Sequence, residues 1–174
     1  ELNIFRLKEA GVNFIHGDIR CPEDLSSSIN SGLIIECSAE PSVMAGLNDN
    51  PQYVIQTNLS GTVNCLELAR NNRADIIFLS TSRVYPYSAL NSIKYKETQT
   101  RFQWSGQVEV KGWSKKGISE DFILNGPKTL YGATKLASEM ILQEYISNYG
   151  LKGVINRCGV VAGAWQFGKA DQGV

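Results

Sequence analysis

Apolar residues recur along this chain in two rhythms. Four short, nearly continuous apolar runs read as strands: 12–15 (Val-Asn-Phe-Ile), 33–37 (Leu-Ile-Ile-Glu-Cys), 75–80 (Asp-Ile-Ile-Phe-Leu-Ser) and 154–157 (Val-Ile-Asn-Arg). The run at 33–37 is apolar on both faces, which suits a parallel sheet covered on both sides. The intervening segments carry helical spacing. Residues 1–10 form the end of an amphipathic helix with Ile4, Phe5, Leu7 and Ala10 apolar, and Gly11 follows where a left-handed cap is expected. A short helix over 23–30 follows Pro22. A long helix opens at Asp49 or Asn50 as cap with Pro51 in its first turn, and Val54, Leu59, Val63, Leu66 and Leu68 give it an apolar side. A second long helix covers 128–148 and is closed by Gly150. Residues 86–126 are irregular and polar, with Trp104 and Trp113. A stretch of that length between clear elements is a functional excursion rather than a linker.

The order α, β, α, β, α, β, loop, α, β predicts an α/β protein with a doubly wound parallel sheet. Composition narrows its function. The 174 residues carry 17 Lys plus Arg and 17 Asp plus Glu, a formal net charge of zero. That balance argues against nucleic acid and against a polybasic membrane surface as partners. The chain is 43% hydrophobic and 20% charged, an ordinary globular composition. It holds no apolar run long enough to span a bilayer, and its first residues lack the apolar stretch of a signal peptide. Cys21, Cys37, Cys65 and Cys158 form no CxxC pair. All but Cys21 lie in apolar sequence, so buried free thiols and a cytoplasmic setting are expected. His16 is the only histidine, and no metal site is expected.

Chemistry concentrates at two places. In Tyr131-Gly132-Ala133-Thr134-Lys135, the tyrosine and lysine stand four apart and share a helix face. A phenol titrates near 10 and is a poor base, but a cation about 4 Å away contributes on the order of 4 kcal/mol at an effective dielectric near 20. At about 1.36 kcal/mol per pH unit, that lowers the phenol by up to roughly 3 units. Such a phenolate can take a proton from an alcohol at neutral pH. The second place is Leu79-Ser80-Thr81-Ser82-Arg83-Val84-Tyr85, directly after a buried strand. Ligands of open α/β sheets bind at the carboxyl ends of strands, where a hydroxyl can orient a substrate oxygen. Either feature alone also arises in a surface helix or an ordinary Ser/Thr turn.

Together and in this order, they resemble the extended short-chain dehydrogenase/reductase family of nucleotide-sugar epimerases and dehydratases. Gly17-Asp18-Ile19-Arg20 is similar to that family's Gly-Asp turn, Cys37-Ser38-Ala39-Glu40 to its small-residue turn, and Asn58-Leu59-Ser60-Gly61-Thr62-Val63-Asn64-Cys65-Leu66-Glu67 to its N-x-x-G-T-x-N-x-L-E helix. The resemblance implies a Rossmann-type fold, NAD as cofactor and a catalytic set of Thr81, Tyr131 and Lys135. It implies cofactor contacts at Asp18, Ile19, Ser38, Ala39, Glu40, Asn58, Ser80, Tyr131 and Lys135, and substrate contacts at Thr81, Ser82, Arg83 and Gln166. Arg157 is expected to anchor structure or a carboxylate. The implied partner is a nucleotide-sugar, with homodimerisation through the two long helices, roughly 51–70 and 128–148.

Dehydratases of this family place Asp-Glu after the Thr. Ser82 and Arg83 stand there, which disfavours dehydration. The tail 165–173 and Tyr95-x-Glu97-Thr98-x-Thr100-Arg101 look like the CDP-paratose 2-epimerase branch, although Ala164-Trp165 replaces its usual Gly-Arg. The activity implied is C2 epimerisation of a CDP-sugar. NAD accepts a hydride, Tyr131 removes the hydroxyl proton, Thr81 holds the same oxygen, Lys135 holds the nicotinamide ribose, and the hydride returns to the other face. Other readings are a 4-epimerase, dehydratase or reductase of the same family, a nucleotide-sensing protein without catalysis, and a domain serving only association. Neither G-x-G-x-x-G nor G-x-x-G-x-x-G occurs in the sequence, so the family's pyrophosphate turn has no counterpart here. The expectation is an incomplete Rossmann domain: residues 1–157 as its central part, 86–126 as an active-site excursion, and 158–174 opening a substrate-binding portion of a larger enzyme, roughly of the 300-residue class.

Overall fold

The computed structural model describes residues 2–26, 30–47, 50–105, 110–164 and 166. Helix α1 (Leu2–Glu9) ends at Gly11, whose φ of +75° provides the expected left-handed stop. A short α2 (Pro22–Ser26) precedes strand β1 (Leu33–Glu36). The first long helix is three joined pieces: α3 (Pro51–Ile55), a π turn (Gln56–Ser60) and α4 (Gly61–Asn72). Asn50 caps it by accepting from the Gln52 N–H, and the alternative cap Asp49 lies outside the described residues. Strand β2 (Asp75–Thr81) runs into a 3₁₀ turn (Ser82–Val84). The second long helix, α6 (Leu130–Tyr149), starts at the cap Thr129, stops at left-handed Gly150 and leads into β7 (Gly153–Cys158).

The central sheet is parallel with order β1-β2-β7. Register fixes its faces. Ile34 pairs with Ile76, and Glu36 lines up with Phe78 and Ile155. This inner face meets α4 and α6 over a core of Leu66, Ala69, Ala74, Ile76, Phe78, Leu142 and Leu151. Each fully buried leucine there contributes roughly 2 kcal/mol.

Four expectations are corrected. Among the described residues only one face of the sheet is covered: Ile35, Ile77 and Val154 share the outer face, where Ile35 is 58% and Val154 54% exposed. Both long helices lie on the other side. Cys37 is exposed for the same reason, two residues beyond Ile35 in the pleat. Cys158 is half-buried and Cys65 buried, and all four thiols are free. Residues 12–15 form no strand, since among the described residues no neighbouring strand in the sheet pairs with them. The stretch 86–126 is not irregular. It holds α5 (Tyr87–Asn91), a hairpin of β3 (Tyr95–Glu97) and β4 (Phe102–Trp104), and a smaller one of β5 (Trp113–Ser114) and β6 (Gly117–Ile118). Its Ile93 and Phe122 pack with Val84 and Tyr85 of the preceding turn into a second core beside the sheet's carboxyl end. Among the described residues no helix is long and apolar enough to cross a membrane.

Candidate active site

The chain leaves the sheet at Thr81, whose hydroxyl accepts from the Arg83 N–H and starts the 3₁₀ turn. Helix α6 is brought against that turn at Gly132, where a Cβ would meet the Arg83 carbonyl oxygen at 2.1 Å. Only glycine allows this approach. The contact sets Tyr131 beside Thr81 on one cleft of about 400 Å³ across the carboxyl ends of β1, β2 and β7. Ala39, Ser80, Thr81, Ser82, Arg83, Tyr131, Lys135 and Gln166 all line it, together with Cys37 and Cys158. A second cavity of about 660 Å³ adjoins across Val43, Ser82 and Arg83 and extends towards Tyr87, Lys128 and Arg157.

Lys135 differs from Tyr131 in its surroundings. It is 1% exposed, 3.8 Å from Glu36 Oε2 and 4.0 Å over the Phe78 ring, whereas Tyr131 is half-buried. Burial pushes the Lys135 ammonium down and the Glu36 carboxyl up, and each charge opposes the shift of the other. Their attraction is about 4 kcal/mol at an effective dielectric near 20. Desolvation costs several kcal/mol per ion, so the pair adds little net stability.

The remaining expected cofactor residues do not line the cleft. Asn58, in the π turn, holds its walls together: Oδ1 accepts from the Glu40 N–H at 2.7 Å, and Nδ2 donates to the Glu40 carbonyl at 3.1 Å and to Thr134 Oγ1 at 3.3 Å. Its carbonyl accepts from the Thr62 and Ser138 hydroxyls. Ser38 donates its N–H to Glu36 Oε1. Asp18 is paired to Arg20 at 2.5 Å, and these hydrogen bonds hold its carboxyl down at about 2. The Ile19 side chain packs on Gly61, and its carbonyl accepts from Asn64. Ser80 lines the cleft, but its hydroxyl donates to Glu139.

Two acidic residues escaped the sequence reading. Glu36 interrupts an apolar strand. Glu139, 1% exposed, accepts from Ser80 and holds Arg157 through both carboxylate oxygens. Arg157 also donates to the Tyr85 hydroxyl and the Glu120 carbonyl, tying β7 to the excursion. It is the anchor on a carboxylate that the sequence suggested. The one sequence signal was for Glu36, a carboxylate inside an otherwise apolar run; Glu139 carried none.

A family model described as NAD dependent epimerase/dehydratase family matches residues 3–174. Among curated proteins, the CDP-paratose 2-epimerase of Salmonella typhi is 33% identical over 92% of this chain and 46% of its own length. A UDP-glucuronate 4-epimerase of Arabidopsis thaliana is 27% identical over 91% of this chain and 32% of its own. Among solved structures, the dTDP-glucose 4,6-dehydratase DesIV of Streptomyces venezuelae, with NAD bound, matches with a TM-score of 0.62 at 25% identity, over 84% of this chain and 38% of that one. The chain thus spans less than half the length of these relatives.

Proposed function

This chain belongs to the NAD dependent epimerase/dehydratase family, and from that premise we propose that it carries the catalytic half-site of an NAD-dependent nucleotide-sugar epimerase acting at C2 of a CDP-sugar. The observation that carries the reading is the convergence of Thr81, Tyr131 and Lys135 on one cleft at the strand ends. The 33% identity to a CDP-paratose 2-epimerase supports the choice of sugar nucleotide and carbon. The absence of a carboxylate at Ser82 and Arg83 weighs against dehydration.

The donor set fits the nicotinamide–ribose end of NAD: a hydroxyl at Tyr131, an ammonium at Lys135 and the small turn at Ala39. The sequence carries no glycine-rich turn for the pyrophosphate. NAD, when bound, supplies a hydride acceptor and donor. The chain's residues do the rest. Thr81 orients the sugar oxygen, Tyr131 takes its proton as the carbonyl forms and returns it afterwards, and Lys135 would hold the nicotinamide ribose beside them. Ser82 and Arg83, shared by both cavities, hold the sugar where the cofactor cleft opens into the larger cavity. Gln166 lines the cleft from the segment that opens the substrate-binding portion. The complete protein assembles as a homodimer through the two long helices.

The test is product analysis of the complete protein on a panel of CDP-, UDP- and dTDP-activated sugars. Inversion at C2 of a CDP-sugar is expected. Inversion at C4 or loss of water would replace the reading with another member of the family. Tyr131→Phe is expected to reduce turnover about 10²–10⁴-fold, the span of general acid–base catalysis, while bound NAD is retained. Near-normal turnover in that variant defeats the assignment of Tyr131.

A further inference from the structure

Glu36 stands in the apolar run Leu33-Ile34-Ile35-Glu36-Cys37 and is only 2% exposed. A carboxylate is almost never buried to that degree without a partner. Oε1 accepts from the Ser38 N–H at 2.6 Å, whereas Oε2 has no hydrogen-bond partner and lies 3.8 Å from Lys135 Nζ. The ammonium of Lys135 is therefore caught between a carboxylate from β1 and the Phe78 ring from β2, under a cleft whose wall carries Tyr131.

The other titratable groups facing the pair are Cys37 after β1, Cys65 on α4 and Glu139 one turn along α6. Partial desolvation of its sulfur and the Glu36 charge raise the thiol of the otherwise exposed Cys37, and burial pushes Cys65 up to about 12, so both stay neutral. Glu139 is committed to Ser80 and Arg157. Among the described residues, Glu36 is thus the negative charge left for Lys135.

We propose that Glu36 is a positioning residue of this site: from beneath the cleft its carboxylate holds the Lys135 ammonium in place and keeps it charged for its work on Tyr131. The inference rests on the reading of Tyr131 and Lys135 given above and adds a residue to it. The sign follows from burial. Desolvation drives Lys135 towards the neutral amine, and an amine is charged only below its titration point. A counter-ion that raises this point widens the pH range over which the ammonium persists.

The experiment is a carbon-13 titration of the lysine Cε resonances in the complete, NAD-loaded protein, the Lys135 signal being the one lost in Lys135→Met. Glu36→Gln removes the charge at nearly constant shape. The Lys135 titration is expected to move to lower pH by about one unit or more. The alkaline limb of turnover, read on the sugar nucleotide that the panel above identifies, is expected to move down with it. Glu36→Asp is expected to recover most of both. A Lys135 titration in Glu36→Gln that coincides with the parent's overturns the proposal, as does a titration that moves while the pH profile of turnover stays in place. Where Glu36→Gln does not fold, the coupling is read from the other side. In Lys135→Met the Glu36 carboxyl is expected to titrate at higher pH by a similar amount, because the coupling is reciprocal, and an unmoved carboxyl overturns the proposal. Normal turnover in Tyr131→Phe would instead sink the reading of the site, and the Lys135 titration would still judge the ion pair separately.

Discussion

Asn58 makes with one side chain the connections that three elements need. It joins the π turn to the backbone of Glu40 in the cleft-side loop and to Thr134 on α6. Asn58→Ala leaves the Glu40 N–H and carbonyl without these partners, and a buried polar group so stranded costs about 1–3 kcal/mol. We expect a loss of about 3 kcal/mol in urea unfolding of the complete protein, with Asn58→Asp intermediate because it still accepts from the Glu40 N–H. Equal midpoints for all three proteins would show that the loop is held by other contacts. Single residues were legible in the sequence when their chemistry was tied to a local spacing. The helical repeat puts Tyr131 and Lys135 on one face and the strand end places Thr81, while the roles proposed for them come from the family resemblance. Glu36 and Glu139 were not legible, because their roles depend on partners 99 and 18 residues away, at Lys135 and Arg157. No local rule joins such positions.

At the scale of elements, helices and sheet strands followed from pattern, while boundaries and context did not. Caps at Asn50 and Gly150 and the parallel strands at β1, β2 and β7 all rest on local signals. The π turn carries no apolar signature, and residues 12–15 show that a strand exists only through its neighbours. The hairpins inside 86–126 are too short and too polar for periodicity to reveal. Among these elements, the contact of α6 with the 3₁₀ turn governs the site. The neighbour that an added Cβ at Gly132 meets is the Arg83 backbone, at 2.1 Å, and it cannot rotate away. Gly132→Ala therefore has to push the start of α6 off the turn. Overpacking of this kind costs about 1–3 kcal/mol, and the shift also separates Tyr131 from Thr81. Turnover should fall more steeply than stability, as measured by unfolding midpoint and product formation on the same preparation. A variant that kept both would mean that the turn yields and that the helix position does not set the site.

At the scale of the molecule, one sheet face is covered by two long helices, and those helices have outer sides of their own. Along α6, Ala133, Ala137 and Met140 recur three and four residues apart, with Ala133 exposed, Ala137 half-buried and Met140 61% exposed. Leu142, Ser138 and Thr134 point the other way into the core. Leu59 and Val63, read from the sequence as part of the apolar side of the first long helix, remain half-buried in the single chain. Two helices of about 30 Å, each about 10 Å wide, present roughly 600 Å², close to the 800 Å² that each partner contributes to a specific interface. The two alanines that precede the methionine on this face permit close helix approach. This is the surface assigned above to the homodimer. Met140→Arg places a charge at the exposed end of the stripe without touching the sheet core or the cleft. Light scattering of the complete protein should give twice the monomer mass for the parent and the monomer mass for Met140→Arg, with Lys135 titration unchanged in the variant. A parent that is monomeric, or a variant that keeps the dimer mass, would move the interface away from these helices.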